Sequence, residues 1–173
     1  MLNMRILDKF LKRTLFYRRN SVGFTLIELL LVMGIISILS VITFNLLNPA
    51  QKFRQARDIQ RINDAKAIFD AIITYAAENG GKHPDGLKNG MSEVQLGTFV
   101  FGCKISTGGC NVADETCLDL SRPLKKYLKY IPIDPTSIYS PANTGYSVVV
   151  DSNGIITVRA CGAEGSINIF VPR

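Results

Sequence analysis

Histidine is nearly missing from this chain of 173 residues, with His83 the single example. One imidazole cannot furnish a Ser-His-Asp set or a metal-binding histidine pair, and no glycine loop has phosphate-cradling spacing. His83 stands beside Pro84 in a Gly-rich stretch, where a solvated loop side chain is expected. An enzyme is therefore not expected, and neither is a cofactor. Cysteine does not occur before Cys103 and then appears at Cys103, Cys110, Cys117 and Cys161. Charge is the third scarcity. From Phe24 to Leu47 the only formal charge is Glu28.

That apolar run, FTLIELLLVMGIISILSVITFNLL, would extend about 36 Å as a helix, enough to cross a bilayer. A lone intramembrane carboxylate is costly and points to function. The net charge of +6 is unevenly placed. Arg5, Lys9, Lys12, Arg13, Arg18 and Arg19 against Asp8 leave +5 before Phe24, and +1 for everything after it. A basic flank is retained in the cytoplasm, so the rest of the chain is expected outside. The near-neutral remainder argues against a general DNA-binding surface and leaves only a local patch open. Within the leader, Ile6, Leu7, Phe10, Leu11, Thr14 and Leu15 recur at helical spacing, so it forms either a helix on the anionic leaflet or a frayed charged tail. A secretory signal fits less well, because the apolar stretch follows Gly23 instead of preceding a small-residue cleavage site.

A basic leader, Gly23, Phe24 and then a greasy helix with Glu28 at its fifth position together resemble the type IV pilin-like family, which includes pilins and type II secretion pseudopilins. The resemblance implies an α+β pilin fold, with a long N-terminal helix supporting a small antiparallel sheet. It also implies a prepilin cut after Gly23 by a prepilin peptidase, N-methylation of Phe24, and polymerisation through the Phe24–Leu47 helices into a helical homopolymer. Glu28 would act in assembly. An assembly ATPase and a membrane platform protein would be the further partners. The protein would pass from a single-span form in the cytoplasmic membrane to a cell-surface filament. A minor pseudopilin of a secretion or competence system shares every N-terminal feature, and an adhesive or DNA-uptake role would need a dedicated head surface. An ordinary single-span sensor or enzyme would leave Glu28 and the Gly23-Phe24 junction unexplained.

Four segments follow from the pattern: a leader over 1–23, a membrane and filament-core helix over 24–47, an amphipathic helix over 48–79 and a globular head over 80–173. Pro49 clashes with the carbonyl of Asn45 and predicts a kink or a short unwound stretch in one near-continuous helix. Beyond it, Ala56, Ile59, Ile62, Ala65, Phe69, Ile72, Ile73 and Ala76 make an apolar stripe, with Arg54–Asp58, Arg61–Asp64 and Lys66–Asp70 as side-chain pairs. Asn79-Gly80-Gly81 supplies the stop. Residues 80–117 read as loop with short pieces. Ser121 and Pro123 suggest the start of a capped short helix through LKKYLKY, and Ile131-Pro132-Ile133-Asp134-Pro135 must be extended. Tyr146–Val150 and Ile155–Ala160 around Asp151-Ser152-Asn153-Gly154 make a hairpin, with Ile167–Val171 as a last strand.

The four cysteines lie on the expected outer side, where an even number implies disulfides. Zinc is the alternative, but the six-residue spacings lack the tight Cys-x2-4-Cys hook. Of three possible pairings, Cys103–Cys110 with Cys117–Cys161 is preferred, since it would staple the loop and tie it to the sheet. Asp134, Asp151 and Asn153 are candidates for a calcium site, although a tight turn wants the same residues, so no metal is assigned. Lys125, Lys126 and Lys129 with Tyr127 and Tyr130 form the best candidate patch for DNA or adhesion, or simply a solvated basic face.

Overall fold

The computed structural model describes residues 23–165 and 168–172, and the basic leader with its expected surface helix lies outside them. The chain divides into two compact units, one up to Leu47 and one from Asn48. In the first, α1 spans Leu26–Leu47. Thr25 starts it: its Oγ1 accepts the Glu28 N–H at 3.3 Å and its carbonyl accepts the Leu29 N–H at 3.2 Å. The hydroxyls of Ser37, Ser40 and Thr43 donate to the carbonyls of Met33, Ile36 and Leu39 one turn back, at 2.8, 2.7 and 2.8 Å. Their polar atoms are thus satisfied within the helix, as a lipid environment demands. The stretch Leu26–Phe44 has a mean hydropathy of 2.5 and is long and apolar enough to cross a membrane.

The second unit opens with α2, Pro49–Glu78. Proline disfavours the right-handed helical region for the residue before it, and Asn48 accordingly sits in the left-handed region at φ 40°. The expected interruption is therefore a short unwound stretch, the single residue Asn48. At the other end Asn79 caps α2, and Gly81, at φ 83°, sends its N–H back to the Ala76 carbonyl at 2.7 Å.

Four antiparallel strands follow in sequential order: β1 Met91–Gln95, β2 Tyr146–Val150, β3 Ile156–Ala160 and β4 Ile169–Pro172. The β2–β3 hairpin is in uninterrupted register from Tyr146↔Ala160 to Val150↔Ile156. Its turn closes because Asp151 Oδ1 accepts the N–H groups of Asn153 and Ile155 at 2.8 and 2.7 Å. A bulge between Met91 and Val94 shifts the β1–β2 register. Alternation divides the sheet: Val94, Tyr146, Val148, Val150, Ile156, Val158 and Ala160 enter the apolar core with Ala65, Ile68, Ala71 and Ile72 of α2. Glu93, Gln95, Ser147 and Arg159 sit at the alternate positions.

Three expectations change. The buried stripe of α2 runs through Arg61, Ala65, Ile68 and Ile72, leaving Ile59 and Ile62 59% and 47% exposed. Ala65 and Ile72 of the expected stripe are buried and Phe69 and Ile73 pack against the core. Its first residues are displaced because a charged residue, Arg61, occupies one of the buried positions. Strand β1 replaces part of the expected loop; its sequence MSEVQ hides the strand because Glu93 and Gln95 are polar yet buried. Residues 121–127 form consecutive turns and no helix, and Asp119 Oδ1, in place of a Ser121 cap, accepts the Ser121 N–H at 2.8 Å.

Candidate functional site

Two regions carry the chemistry, and the first is the N-terminal end of α1. Gly23 and Phe24 precede the helix as irregular backbone, and Glu28 falls in its first turn, facing outward with the apolar side chains around it. Carboxylates favour that position because the unpaired N–H groups of a helix start carry partial positive charge. None of the Leu26–Phe44 stretch is buried by the described residues. A helix apolar on all sides and left uncovered belongs in lipid or among other helices. Thr25 is the residue that the sequence reading missed here; Thr-x-x-Glu ahead of an apolar run was its signal.

The second region is the loop 97–118, closed on itself by Cys103–Cys117 and tied to the end of β3 by Cys110–Cys161. The preferred pairing, Cys103–Cys110 with Cys117–Cys161, is thereby overturned, and zinc with it, since all four sulfurs are consumed. The reason is a small hairpin. Ile105 and Val112 exchange backbone hydrogen bonds at 3.2 and 2.9 Å around Gly108-Gly109, and the Cys103 N–H reaches the Glu115 carbonyl at 3.0 Å. Cys103 and Cys117 therefore flank the two legs, while Cys110 lies near the tip and reaches Cys161 at the end of β3. Gly108-Gly109 was the overlooked signal.

Loop and sheet also share a buried polar cluster. Glu93 Oε1 accepts from the Ser147 hydroxyl at 2.5 Å, and Oε2 accepts from Arg159 and from the Asn111 N–H at 2.8 and 2.9 Å. Each partner satisfies a lone pair of a carboxylate that burial would otherwise penalise.

At the start of the packed part of α2, Arg61 is wholly buried. It donates to Asp134 through Nε and Nη2 at 2.6 and 2.9 Å, to Asp58 at 2.8 Å and to Glu164 at 3.3 Å. Arg57 forks onto Glu164 at 2.7 and 2.5 Å. Arg57's hydrogen bonds hold the Glu164 carboxyl down to about 2. Burial pushes Asp134 up, but the hydrogen bonds from Arg61 and Thr136 outweigh it and the net shift is downward. The expected Arg61–Asp64 pair is not formed. Asp64 instead accepts the Tyr146 hydroxyl at 2.9 Å, and burial raises both of their pKa values.

The structure separates the remaining candidates. Asp134 is engaged by Arg61 and Thr136, and Asp151 by its own turn, so they and Asn153 do not converge. Among the described residues no cluster of three or more His, Cys, Asp or Glu is placed to hold a metal. Of the basic patch, Lys126 and the Tyr127 hydroxyl are both taken by Glu78, and Tyr127 packs edge-on against Tyr75 with centroids 6.1 Å apart. Lys125, Lys129 and Tyr130 stay exposed. His83 is half-buried instead of solvated, and its Nδ1 is buried without a hydrogen-bond partner.

Residues 18–44 match the family model for the prokaryotic N-terminal methylation motif, the signature of type IV pilins and pseudopilins. With its apolar N-terminal helix, second helix and four-stranded antiparallel sheet, the chain has an α+β, pilin-like organisation. No curated protein and no solved structure gives a significant match.

Proposed function

We propose that this chain is a prepilin: a structural subunit held in the membrane by its N-terminal helix, cut after Gly23, methylated on the new amine of Phe24 and polymerised through Leu26–Leu47 into a filament at the cell surface. The observation that carries the reading is α1 itself, apolar on every side and interrupted by one carboxylate, within a stretch that matches the methylation motif. Gly23 adds support. Among the described residues a Cβ there would meet nothing within 4 Å, so their packing gives no reason for glycine. A peptidase pocket beside the membrane that excludes any side chain would give one. An assembly ATPase and a platform protein would then extract and stack the subunits.

N-terminal sequencing and intact-mass analysis of the protein from its own cells test this. The mature chain is expected to begin at Phe24 and to be one methyl group heavier than its sequence. Gly23→Val is expected to accumulate as uncleaved precursor in the membrane. A mature protein that still begins at Met1 would refute the reading.

A further inference from the structure

We propose that the apolar prong Phe99-Val100-Phe101 of one subunit seats in the apolar pocket beside His83 of a second copy, joining heads end to end. The inference rests on the filament reading above and names a contact that this reading leaves open.

Three consecutive hydrophobic side chains stand 51%, 61% and 75% exposed at Phe99, Val100 and Phe101. Exposure of this kind usually reflects a mobile loop tip, but here the backbone is pinned from several sides. The Phe99 N–H donates to the Ala142 carbonyl at 3.0 Å and its carbonyl accepts the Cys117 N–H at 2.9 Å. Thr116 Oγ1 donates to the Val100 carbonyl at 3.3 Å, and the Gly102 N–H donates to Glu115 Oε2 at 3.3 Å. The Cys103–Cys117 disulfide closes the base. A fold that holds two phenylalanines rigidly in water has preorganised them for a partner, because little ordering remains to be done on binding. Each aromatic ring brings about 150–250 Å² of area to bury.

The same unit contains a receptor of matching chemistry. An open pocket of about 410 Å³ is lined by Ile73, Ala76, Ala77, His83, Ile155 and Ile156. None of these side chains is an acid or a permanent cation. Prong and pocket lie at opposite ends of the head. β1 starts at Met91, opposite Val150 and next to the 151–154 turn that borders the pocket, and ends at Gln95, opposite Ser147, just before the prong. Along α2, the prong end corresponds to Asp64, which holds Tyr146, while the pocket uses Ala76 in the last turn of the helix. Those positions are about 18 Å apart at ~1.5 Å per residue. A knob and a socket on opposite ends of one body make a heterologous contact, which repeats without closing and builds an open polymer. A second copy is therefore the occupant.

The test places a photoreactive residue in the full-length chain in its own cells, as Phe101→p-benzoylphenylalanine, with Ile36→p-benzoylphenylalanine as a separate reporter of α1 packing. Irradiated material is resolved on gels and the dimer bands are mapped by mass spectrometry. The expected result is a Phe101 dimer whose second chain is labelled within residues 67–88 or at Ile155 or Ile156. In parallel, Phe101→Asp and Ala77→Asp should each lower filament yield at least tenfold, with normal amounts of cleaved, protease-resistant subunit. Ile36 dimers accompanied by Phe101 adducts to lipid, or to another part of the neighbour, would overturn the prong contact and leave the filament standing. An absence of dimers from both positions would overturn the filament reading and this inference together.

Discussion

Both carboxylate oxygens of Asp134 are held by the guanidinium of Arg61, 73 residues earlier in the chain, and neither side chain has any surface exposed to water. This fork ties α2 to the extended segment after Ile131, and Asp58 and Glu164 complete the cation's shell. The site is crowded: a Cβ on Gly162 would lie 2.4 Å from Asp134 Oδ2. Removing one member of a buried pair leaves the other charge without compensation, which costs about 3–5 kcal/mol. Arg61→Ala is expected to destabilise the folded protein by that amount in chemical denaturation. Arg61→Lys should fall between, since an ammonium cannot fork onto both oxygens. An Arg61→Ala protein as stable as the parent would show that the cluster is incidental.

Acid should loosen the same region. Glu164, held near 2 by Arg57, and Asp134, held low once Arg61 outweighs its burial, both have folded pKa values below their unfolded ones. Their contributions are complete above about 4.5 and are lost as pH falls through the folded values. Asp64 works in the opposite direction, because burial raises it and protonation relieves a penalty. Glu78 and Glu115 are also lowered, by hydrogen bonds from Lys126 and Lys104. With four groups against one, the unfolding midpoint should fall between about pH 4.5 and 2. The Arg57→Ala protein should give a flatter profile, since Glu164 then titrates nearer its ordinary range. A parent profile that is level across this interval would contradict the assignment.

The two disulfides should contribute unequally. Cys103–Cys117 closes 14 residues and Cys110–Cys161 closes 51. Loop-closure entropy makes the longer link worth about 1 kcal/mol more. Paired Cys→Ser replacements, compared by thermal unfolding, measure the difference. Peptide mapping of the oxidised protein without reduction should recover 103 linked to 117 and 110 linked to 161. A peptide joining 103 to 110 would reverse the correction made above.

Glu28 supplies the fourth expectation. Cleavage after Gly23 would leave a cationic amine at Phe24, four residues before Glu28 and just ahead of the helix start. In a filament core, an unpaired carboxylate would cost several kcal/mol, so the amine of a neighbouring Phe24 is its expected partner. Glu28→Ala should be inserted and cleaved almost normally while sheared filaments fall sharply in yield. Normal yield and helical geometry would remove the intersubunit role.

What was legible in the sequence follows from what each element depends on. α1, the stop at Asn79-Gly80-Gly81 and the Tyr146–Ala160 hairpin are written in local patterns: an apolar run, a glycine cap and an Asn-Gly turn between β-branched strands. Strand β1 and the α2 face were harder because Glu93 and Arg61 are buried charges, and only the distant partners Ser147, Arg159 and Asp134 make their burial possible. The cysteine pairing had equal six-residue spacings on both sides of Cys110, so spacing held no information. The Ile105–Val112 contact that decides it is a tertiary event. At the N-terminal end, the motif over residues 18–44 was readable because it is linear. The prong and the pocket were not, since they exist only once Cys117, Ala142 and Ala76 have been brought into place.

The crossed disulfides also set an order of events. An unfolded chain meets its nearest neighbours first, and the nearest cysteines here are 103 with 110 and 110 with 117, neither of which is a native pair. Oxidation ahead of folding would therefore trap the wrong bonds and depend on reshuffling by thiol–disulfide exchange. Correct closure of 110 onto 161 requires β3 to be in position beforehand, so that link can seal only a head already built. Oxidative folding of this chain is thus expected to need a disulfide isomerase as well as an oxidant. Pulse-trapped early intermediates should carry the short-range bonds, and cells lacking the isomerase should accumulate them.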